Sequence, residues 1–225
     1  MVYTFGCGYF PDIEKGSKYY DRDIIQPKNF RWDNIEFDYS NNVFHPKELT
    51  RGQPAISGYR VDPDTLPQKV LYSDKRAPLD FDKFAGLIFL SAAAKALIEQ
   101  FEPDVHQFEP IEYVGPNSDH IETRYVFFIC RRLDTVDRAS TNMILSPFHW
   151  LTPRSLLDIK PDLVPPGTDL DEPPRQLFNL SQIGDAHLWR DRHISVTPFV
   201  STALAEAIMS SGLTGFGGGP QETVP

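Results

Sequence analysis

The sequence predicts an α+β fold in which a mixed, mostly antiparallel sheet carries two serine-capped helices and long irregular loops. Three observations support this prediction. Several short segments are rich in β-branched and aromatic residues, which is typical of strands. Two alanine-rich segments have apolar residues at helical spacing. The 20 prolines among 225 residues favour extended, irregular connections.

The first third of the chain gives weak strand signals separated by turn-forming residues. We expect strands in MVYTFGCGYF, in RWDNIEFDY, where apolar and polar residues alternate strictly only over the last part, and at KVLYS. We predict that residues 1–78 form a strand and loop region that packs on an α+β core of residues 79–219. Residues 220–225 are expected to form a flexible tail, and the whole chain is expected to be one domain.

The pattern becomes clearer from Leu79 onward. Ser91 is a good N-cap for the helix AAAKALIEQF, which the pair Glu102-Pro103 ends because proline cannot continue a helix. VHQFEPIEYV follows as a strand, and its Pro110 predicts an edge or a broken strand. RYVFFICRRL has the strongest strand pattern, and its uninterrupted apolar run predicts a central position in the sheet.

The last third begins with a segment, residues 134–174, that we expect to be loop. Three short strand-like pieces follow: QLFNLSQI, AHLWRDR and HISVTPFV. The last of these runs into Ser201, which caps a helix in TALAEAIMSS. Gly212 is then expected to supply the left-handed residue that closes this helix.

The two helix-leading segments resemble each other at an offset of 110 residues. FLSAAAKALIEQF and FVSTALAEAIMSS share a Phe, an aliphatic residue, a Ser and an amphipathic run. Either the strand–serine–helix arrangement, which is common in proteins, occurs twice independently, or two related units pack as pseudo-repeats in one domain. In both cases the serines face backbone amides as caps, each contributing about 1 kcal/mol. We therefore interpret the repeat as scaffold.

Composition excludes several classes of protein. The formal charge of −9 argues against nucleic acid or an anionic membrane as the direct partner and favours a basic protein partner. Two distant cysteines form neither a disulfide framework nor a zinc site. The N-terminal segment does not resemble a signal peptide, and no apolar run is long enough for a membrane span. We expect a cytoplasmic protein.

The search for catalytic chemistry finds one weak candidate. Asp185, His187, Asp191 and His193, in DAHLWRDRH, would lie on one side of an alternating strand and could form a metal site with two histidines and carboxylates. The alternative is that Asp185, Arg190, Asp191 and Arg192 form a solvated hairpin face with two incidental histidines. Ser146 lacks a nucleophile elbow, and the glycine-rich GLTGFGGGP lacks the residues of a phosphate loop. We predict no cofactor, no metal and no enzymatic activity.

Taken in order, three segments resemble the polymorphic-toxin immunity protein family eleven. They are the serine-led helix and strand LSAAAKALIEQFEPDVHQFEPIEY, the strand YVFFICRRLDTVDRAS, and the closing segment HLWRDRHISVTPFVSTALAEAIMSSGLTGFG. The resemblance covers roughly Leu79 to Gly217, and its motifs are structural. The chain departs from the family pattern at Gly217 to Pro220, and the loop at 158–174 is a candidate insertion.

The resemblance implies a cytoplasmic antitoxin that binds one cognate bacterial toxin, often an effector injected by a neighbouring bacterium, for example through type VI secretion. A nuclease toxin is expected to be basic because it binds phosphate, which suits an acidic inhibitor. The predicted toxin-binding residues are Asp158, Asp162, Asp169, Asp171 and Glu172, with Asp33, Glu36 and Asp38 as a second group. The alternatives are an adaptor that loads an effector without inhibiting it and, with less support, a metal-dependent hydrolase.

Overall fold

The computed structural model describes residues 1–8, 22–26, 28, 30, 35–40, 56–73, 76–146, 149–194 and 197–225. The helices in this part of the chain are α1 (Ala92–Phe101), α2 (Pro153–Ile159), α3 (Leu180–Ile183) and α4 (Thr202–Ser210). The strands are β1 (Val2–Thr4), β2 (Gly6–Cys7), β3 (Arg22–Gln26), β4 (Lys69–Tyr72), β5 (Phe81–Phe84), β6 (Leu87–Leu90), β7 (Gln107–Val114), β8 (His120–Phe128), β9 (Arg132–Leu133), β10 (Ile144–Leu145), β11 (Trp150–Leu151), β12 (Phe178–Asn179), β13 (Leu188–Asp191), β14 (Pro198–Ser201), β15 (Phe216–Gly217), β16 (Pro220–Gln221) and β17 (Thr223–Val224).

Two sheets dominate the fold, where the sequence suggested one. The large sheet has six strands in the order β3-β4-β7-β8-β6-β5, and the small sheet has five in the order β16-β1-β14-β13-β9. Three further pairs, β10–β11, β12–β17 and β2–β15, are two-stranded. Among the described strands, only β4–β7, β9–β13 and β12–β17 pair in parallel. The predicted α+β class, with mostly antiparallel pairing, is confirmed.

The strand with the strongest pattern is central, as expected, because β8 lies between β7 and β6. The expectation of an edge position for the strand that contains Pro110 is wrong, since β7 lies between β4 and β8. The geometry explains how the proline is accommodated. Parallel pairing with β4 begins only at Glu112, so the exposed Pro110 pairs with Tyr125 of β8 and has no strand on its other side.

Side chains alternate across each sheet and build three apolar clusters. On β6, Ile88 and Leu90 enter one cluster while Leu87 and Phe89 enter another, as the period of two requires. The central cluster is shared by both sheets and both long helices. The outer clusters cover the opposite face of the large sheet and the opposite face of the small sheet. The three clusters are therefore stacked, and the central one is formed by the two long helices and the sheet surfaces that face each other.

The doubled sequence motif forms two strand–serine–helix units with the same local geometry. The first unit is residues 87–101 and the second is residues 198–210. Ser91 and Ser201 both have extended backbone, and each hydroxyl accepts a hydrogen bond of 3.2 Å from the amide three residues later. The units belong to different sheets, and their helices meet in the central cluster. Gly212 ends α4 with φ of 77°, as predicted.

The glycine-rich C-terminal segment fastens the two sheets together. A Cβ at Gly215 would lie 2.2 Å from the carbonyl oxygen of Phe81, and one at Gly218 would lie 1.9 Å from that of Thr4, so these close approaches require glycine. Residues 220–225, for which we expected a flexible tail, contain β16 and β17, which pair with β1 and β12. Each of the two sheets contains strands from residues 1–78 as well as strands from residues 79–219.

The structure differs from the sequence expectation in two shorter segments. The predicted loop at 134–174 contains the β10–β11 pair and α2. The helix is compatible with Pro153 because this proline occupies the first helical turn. QLFNLSQI is a two-residue strand followed by α3, since Asn179 accepts hydrogen bonds from the amides of Ser181 and Gln182. No helix in the described part of the chain has the length and apolar character needed to cross a bilayer.

Candidate functional site

The acidic loop, which we define as residues 158–174, begins in a short helix. Thr152 caps α2 by accepting a 3.1 Å hydrogen bond from the amide of Ser155, and Pro153 fits the first turn because its missing N–H needs no partner there. Leu156 is fully buried and attaches the helix to the body of the protein. The amide of Lys160 then donates to the carbonyl of Leu156 at 2.7 Å and ends the helix.

The far end of the acidic loop is held by a pair of neighbouring polar residues. The Asn142 side chain donates to the carbonyl of Pro173 at 2.9 Å and accepts from the amide of Arg175 at 2.7 Å. The Thr141 hydroxyl donates to the carbonyl of Arg175 at 2.7 Å. Between the two ends, a 3-10 turn at Pro161–Leu163 and a turn closed by Thr168 shape the backbone. The loop is thus a fixed surface, although its side chains face solvent.

The five predicted acidic residues of this loop all lie on the surface. The exposed residues are Asp158, Asp162, Asp169, Asp171 and Glu172. Asp171 forms an ion pair with the exposed Arg154, and Asp169 accepts a 2.8 Å hydrogen bond from the amide of Asp171. Within the described residues, the other carboxylates have no cationic partner. Their charge is therefore directed to solvent, where a basic partner could meet it.

Three aliphatic side chains stand exposed among these carboxylates. Leu157 is 42% exposed, Ile159 is 65% exposed and Leu163 is 37% exposed. Aliphatic groups interleaved with charges are typical of a binding surface with an apolar centre and a polar rim. The sequence does indicate these exposed aliphatic residues, although the charge pattern alone does not reveal them. The segment SLLDI has three aliphatic residues, and a helix of only seven residues that buries Leu156 leaves its neighbours outside.

The second predicted acidic group lies beside a different part of the fold. Asp33 falls outside the described residues. Glu36 is exposed, and its neighbour Phe37 bridges to Val61 in the outer cluster of the large sheet. Asp38 is half-buried and accepts 2.9 Å and 2.5 Å hydrogen bonds from the amide and hydroxyl of Ser40. The acidic loop instead follows the β10–β11 pair next to the outer cluster of the small sheet.

The candidate metal ligands are not brought together. His187 precedes β13, and its Nδ1 lies 2.8 Å from the hydroxyl of Ser201. Asp191 ends β13 and accepts hydrogen bonds of 2.7 Å from both the amide and the hydroxyl of Thr135. Asp185 is exposed, and His193 Nε2 lies 3.9 Å from Asp134. Over the part of the chain that the structure describes, no cluster of three or more such residues could hold a metal ion.

The candidate nucleophiles have structural roles. The Ser146 hydroxyl donates to the carbonyl of His149 at 2.8 Å and accepts from its amide, which closes a local turn. Burial raises the pKa of Cys7 strongly and that of Cys130 to about 11. Both thiols are therefore protonated near neutral pH, and a protonated thiol is a poor nucleophile.

Comparison with protein families identifies one family. The model of a family described as "Immunity protein family (Imm11)" matches residues 18–222. A search of curated proteins gave no match. The family match spans the acidic loop, both strand–serine–helix units and nearly all strands of both sheets.

Proposed function

Because the chain belongs to the immunity protein family Imm11, a family of toxin immunity, we propose that it neutralises its cognate toxin by covering it with the acidic loop. The proposed toxin is a basic nuclease, whose phosphate-binding surface would complement the carboxylates. The single observation that supports this surface is the combination of unpaired carboxylates and exposed aliphatic side chains on one fixed loop.

Each part of the acidic loop has a distinct task in this proposal. The carboxylates of Asp158, Asp162 and Asp169 accelerate encounter with a basic protein and orient it. Ile159 of the loop, together with Leu157 just before it, supplies apolar area that is removed from water when the partner docks, which slows dissociation. The loop is tied at both ends, so little conformational freedom is lost on binding.

Glu36 and Asp38 are proposed only as a secondary contact. Asp38 already accepts two hydrogen bonds from Ser40, and the group borders the outer cluster of the large sheet, whereas the acidic loop borders that of the small sheet. A partner would have to reach around the fold to touch both groups. The primary contact is therefore assigned to the acidic loop.

The first experiment measures binding and inhibition of the toxin encoded beside this chain. The triple variant Asp158→Lys, Asp162→Lys, Asp169→Lys is expected to slow association at least tenfold at low salt, and Ile159→Ser is expected to speed dissociation. The matched control for the charge variant replaces three exposed acidic residues elsewhere with Lys, namely Asp64, Asp185 and Glu206. The control for Ile159→Ser replaces the exposed Met209 with Ser. Equal behaviour of the loop variants and the controls would exclude the acidic loop as the interface.

The same pair of proteins separates an antitoxin from an adaptor. Growth rescue on co-expression, together with loss of nuclease activity in the purified complex, supports neutralisation. A stable complex that retains full toxin activity would select the adaptor function. A toxin with no nuclease activity that is still bound and inhibited would refute the nuclease assignment and keep the antitoxin function.

A further inference from the structure

A cavity of about 510 Å³ opens between the two sheets, away from the acidic loop. Its walls come from three places in the fold: Cys7 of β2, the β5–β6 hairpin with Lys83 and Ile88, and β13 with Arg190. Phe5 and Phe127 add aromatic surface. The volume lies within the range of pockets that bind small organic molecules, about 300–1,000 Å³.

Arg190 lines this cavity and is only 5% exposed. Its backbone amide donates to the carbonyl of Arg131 at 2.9 Å, but its side-chain Nε and Nη1 are buried without a hydrogen-bond partner among the described residues. A buried guanidinium normally faces a carboxylate or several carbonyl oxygens, because an unpaired buried charge is costly. The missing partner indicates that an anion completes this site.

The charges around Arg190 support this interpretation. The titratable groups that interact electrostatically with Arg190 are Cys130 and Cys7, whose thiols burial keeps neutral. Burial lowers the pKa of Arg190 only to about 10, so it remains a cation. Lys83 is the other charged residue of the lining. Although the net charge of the chain is −9, the described lining residues of this cavity include two cations and no carboxylate.

We propose that the cavity binds a small organic monoanion, a carboxylate on an apolar body, with the Arg190 guanidinium as its anchor. The planar guanidinium matches the two oxygens of a carboxylate. Lys83 lies on the exposed side and attracts the anion, while Phe5, Ile88 and Phe127 contact the apolar body. A monoanion is favoured over phosphate because a second negative charge would have to leave water for the same single buried cation.

Calorimetry with the full chain tests this site, using hexanoate and octanoate as probes. Saturable one-to-one binding of both carboxylates is expected, with octanoate the tighter ligand and hexanol at least tenfold weaker than hexanoate. Arg190→Met is expected to weaken hexanoate binding at least tenfold while leaving thermal stability unchanged or raised, because it removes an unpaired buried charge. No saturable binding to the unmodified chain, or equal affinity for hexanol or phosphate, would overturn the proposal.

A second variant keeps the test decisive if Arg190→Met does not fold. Lys83→Gln changes an exposed side chain and is expected to weaken hexanoate binding severalfold, with a reduced dependence on salt. Lys160→Gln, an exposed lysine of the acidic loop, is the matched control and should bind hexanoate like the unmodified chain. Equal binding in the Lys83 variant and this control would count against the site. The test does not involve the toxin, so its outcome is independent of the proposed antitoxin function.

Discussion

The two strand–serine–helix units share their local chemistry but differ in what supports the serine. In the first unit, the Ser91 hydroxyl donates to the carboxylate of Asp80 at 2.7 Å. In the second, the Ser201 hydroxyl lies 2.8 Å from Nδ1 of His187. Both hydroxyls cap their helices at the same distance. The comparison teaches that a repeated sequence specifies the helix and its cap, whereas the supporting partner comes from the sheet to which each unit is attached.

The units are also joined by one buried carboxylate. Glu102 ends the first helix and is 2% exposed. Its carboxylate accepts hydrogen bonds from the amides of His187 and Leu188, at the start of β13, and β13 pairs with β14 of the second unit. Arg131 Nη2 lies 2.5 Å from the same carboxylate. The four predictions that follow test how far the units depend on each other, from the largest expected effect to the smallest.

Removal of the joining carboxylate should have the largest effect. Glu102→Ala is expected to lower the free energy of unfolding by about 3–5 kcal/mol, because it leaves two amides and the Arg131 guanidinium without their acceptor. Urea denaturation measures the change. Glu99→Ala on the same helix, which removes an exposed pair with Lys95, is the control and should cost less than about 1 kcal/mol. Similar costs for both variants would show that the units are not coupled through Glu102.

His106, which follows the first unit by five residues, makes the fold sensitive to acid. At the offset of 110 residues, His106 corresponds to Phe216, so a titratable ring follows only the first unit. Burial lowers the pKa of His106 to about 3, below its ordinary value of 6.5, so the unfolded chain binds a proton that the folded chain does not. Stability is therefore lost as pH falls from about 6.5 toward 3. The expected loss between pH 7 and pH 5 is about 2 kcal/mol.

The matched variant for this pH effect is His106→Asn. Its side-chain oxygen can replace Nδ1, which accepts a 3.2 Å hydrogen bond from the amide of Cys130. Urea titrations at pH 7 and pH 5 should show a clear loss of stability for the unmodified chain and little change for the variant. A variant that keeps the full pH dependence would assign the effect to another group.

The two caps should differ moderately in strength. Ser91→Ala and Ser201→Ala are each expected to cost about 1 kcal/mol, with the Ser91 variant costlier because Asp80 also loses a donor. Burial would raise the pKa of Asp80, but hydrogen bonds from Thr214 and Ser91 outweigh it and lower the pKa. The stability that these hydrogen bonds contribute is present above the pKa of Asp80 in the unfolded chain, near 3.8. It is lost as pH falls through the lower pKa of Asp80 in the folded chain. The costs of the two variants should therefore converge as pH falls below the lowered pKa of Asp80, and a difference that stays constant as pH falls would contradict this account.

The smallest effect concerns the turn that leads into the first unit. Ala85 and Gly86 form the two-residue turn between β5 and β6, with φ of 48° and 80°. Asparagine tolerates positive φ better than alanine, so Ala85→Asn is expected to raise the melting temperature, with a gain of about 0.5 kcal/mol. The same substitution at the exposed Ala96 within α1 is the control and should destabilise by a similar amount. A loss of stability at position 85 would refute the turn assignment.

Local features of the fold were predictable from the sequence because local chemistry determines them. The helix after Ser91, its end at Glu102 and the glycine after α4 follow from capping and proline rules that act within a few residues. The division into two sheets was not predictable, since the sequence of a strand does not identify the strand with which it pairs. The central position of the Pro110 strand depends on where β4 begins, which lies about 40 residues away in the sequence.

The candidate sites show the same limit. Exposure of Asp158 and its neighbours followed from a proline-rich acidic composition. The exposed Ile159 could not be inferred without knowing that Pro153 and Leu156 are the buried residues of the helix. Arg190 looked like one charge of a solvated hairpin, and only the packing of two sheets reveals that it is buried beside a cavity.

The pairing of β1 has a consequence for how the protein is made in the cell. Val2 pairs with Ser201 and with Gln221, so both neighbours of β1 are synthesised about 200 residues after it. Until then this short segment has no sheet to join, and the small sheet closes only when β14 and β16 have been synthesised. A stalled ribosome that releases a shorter product would therefore yield a large sheet without its companion.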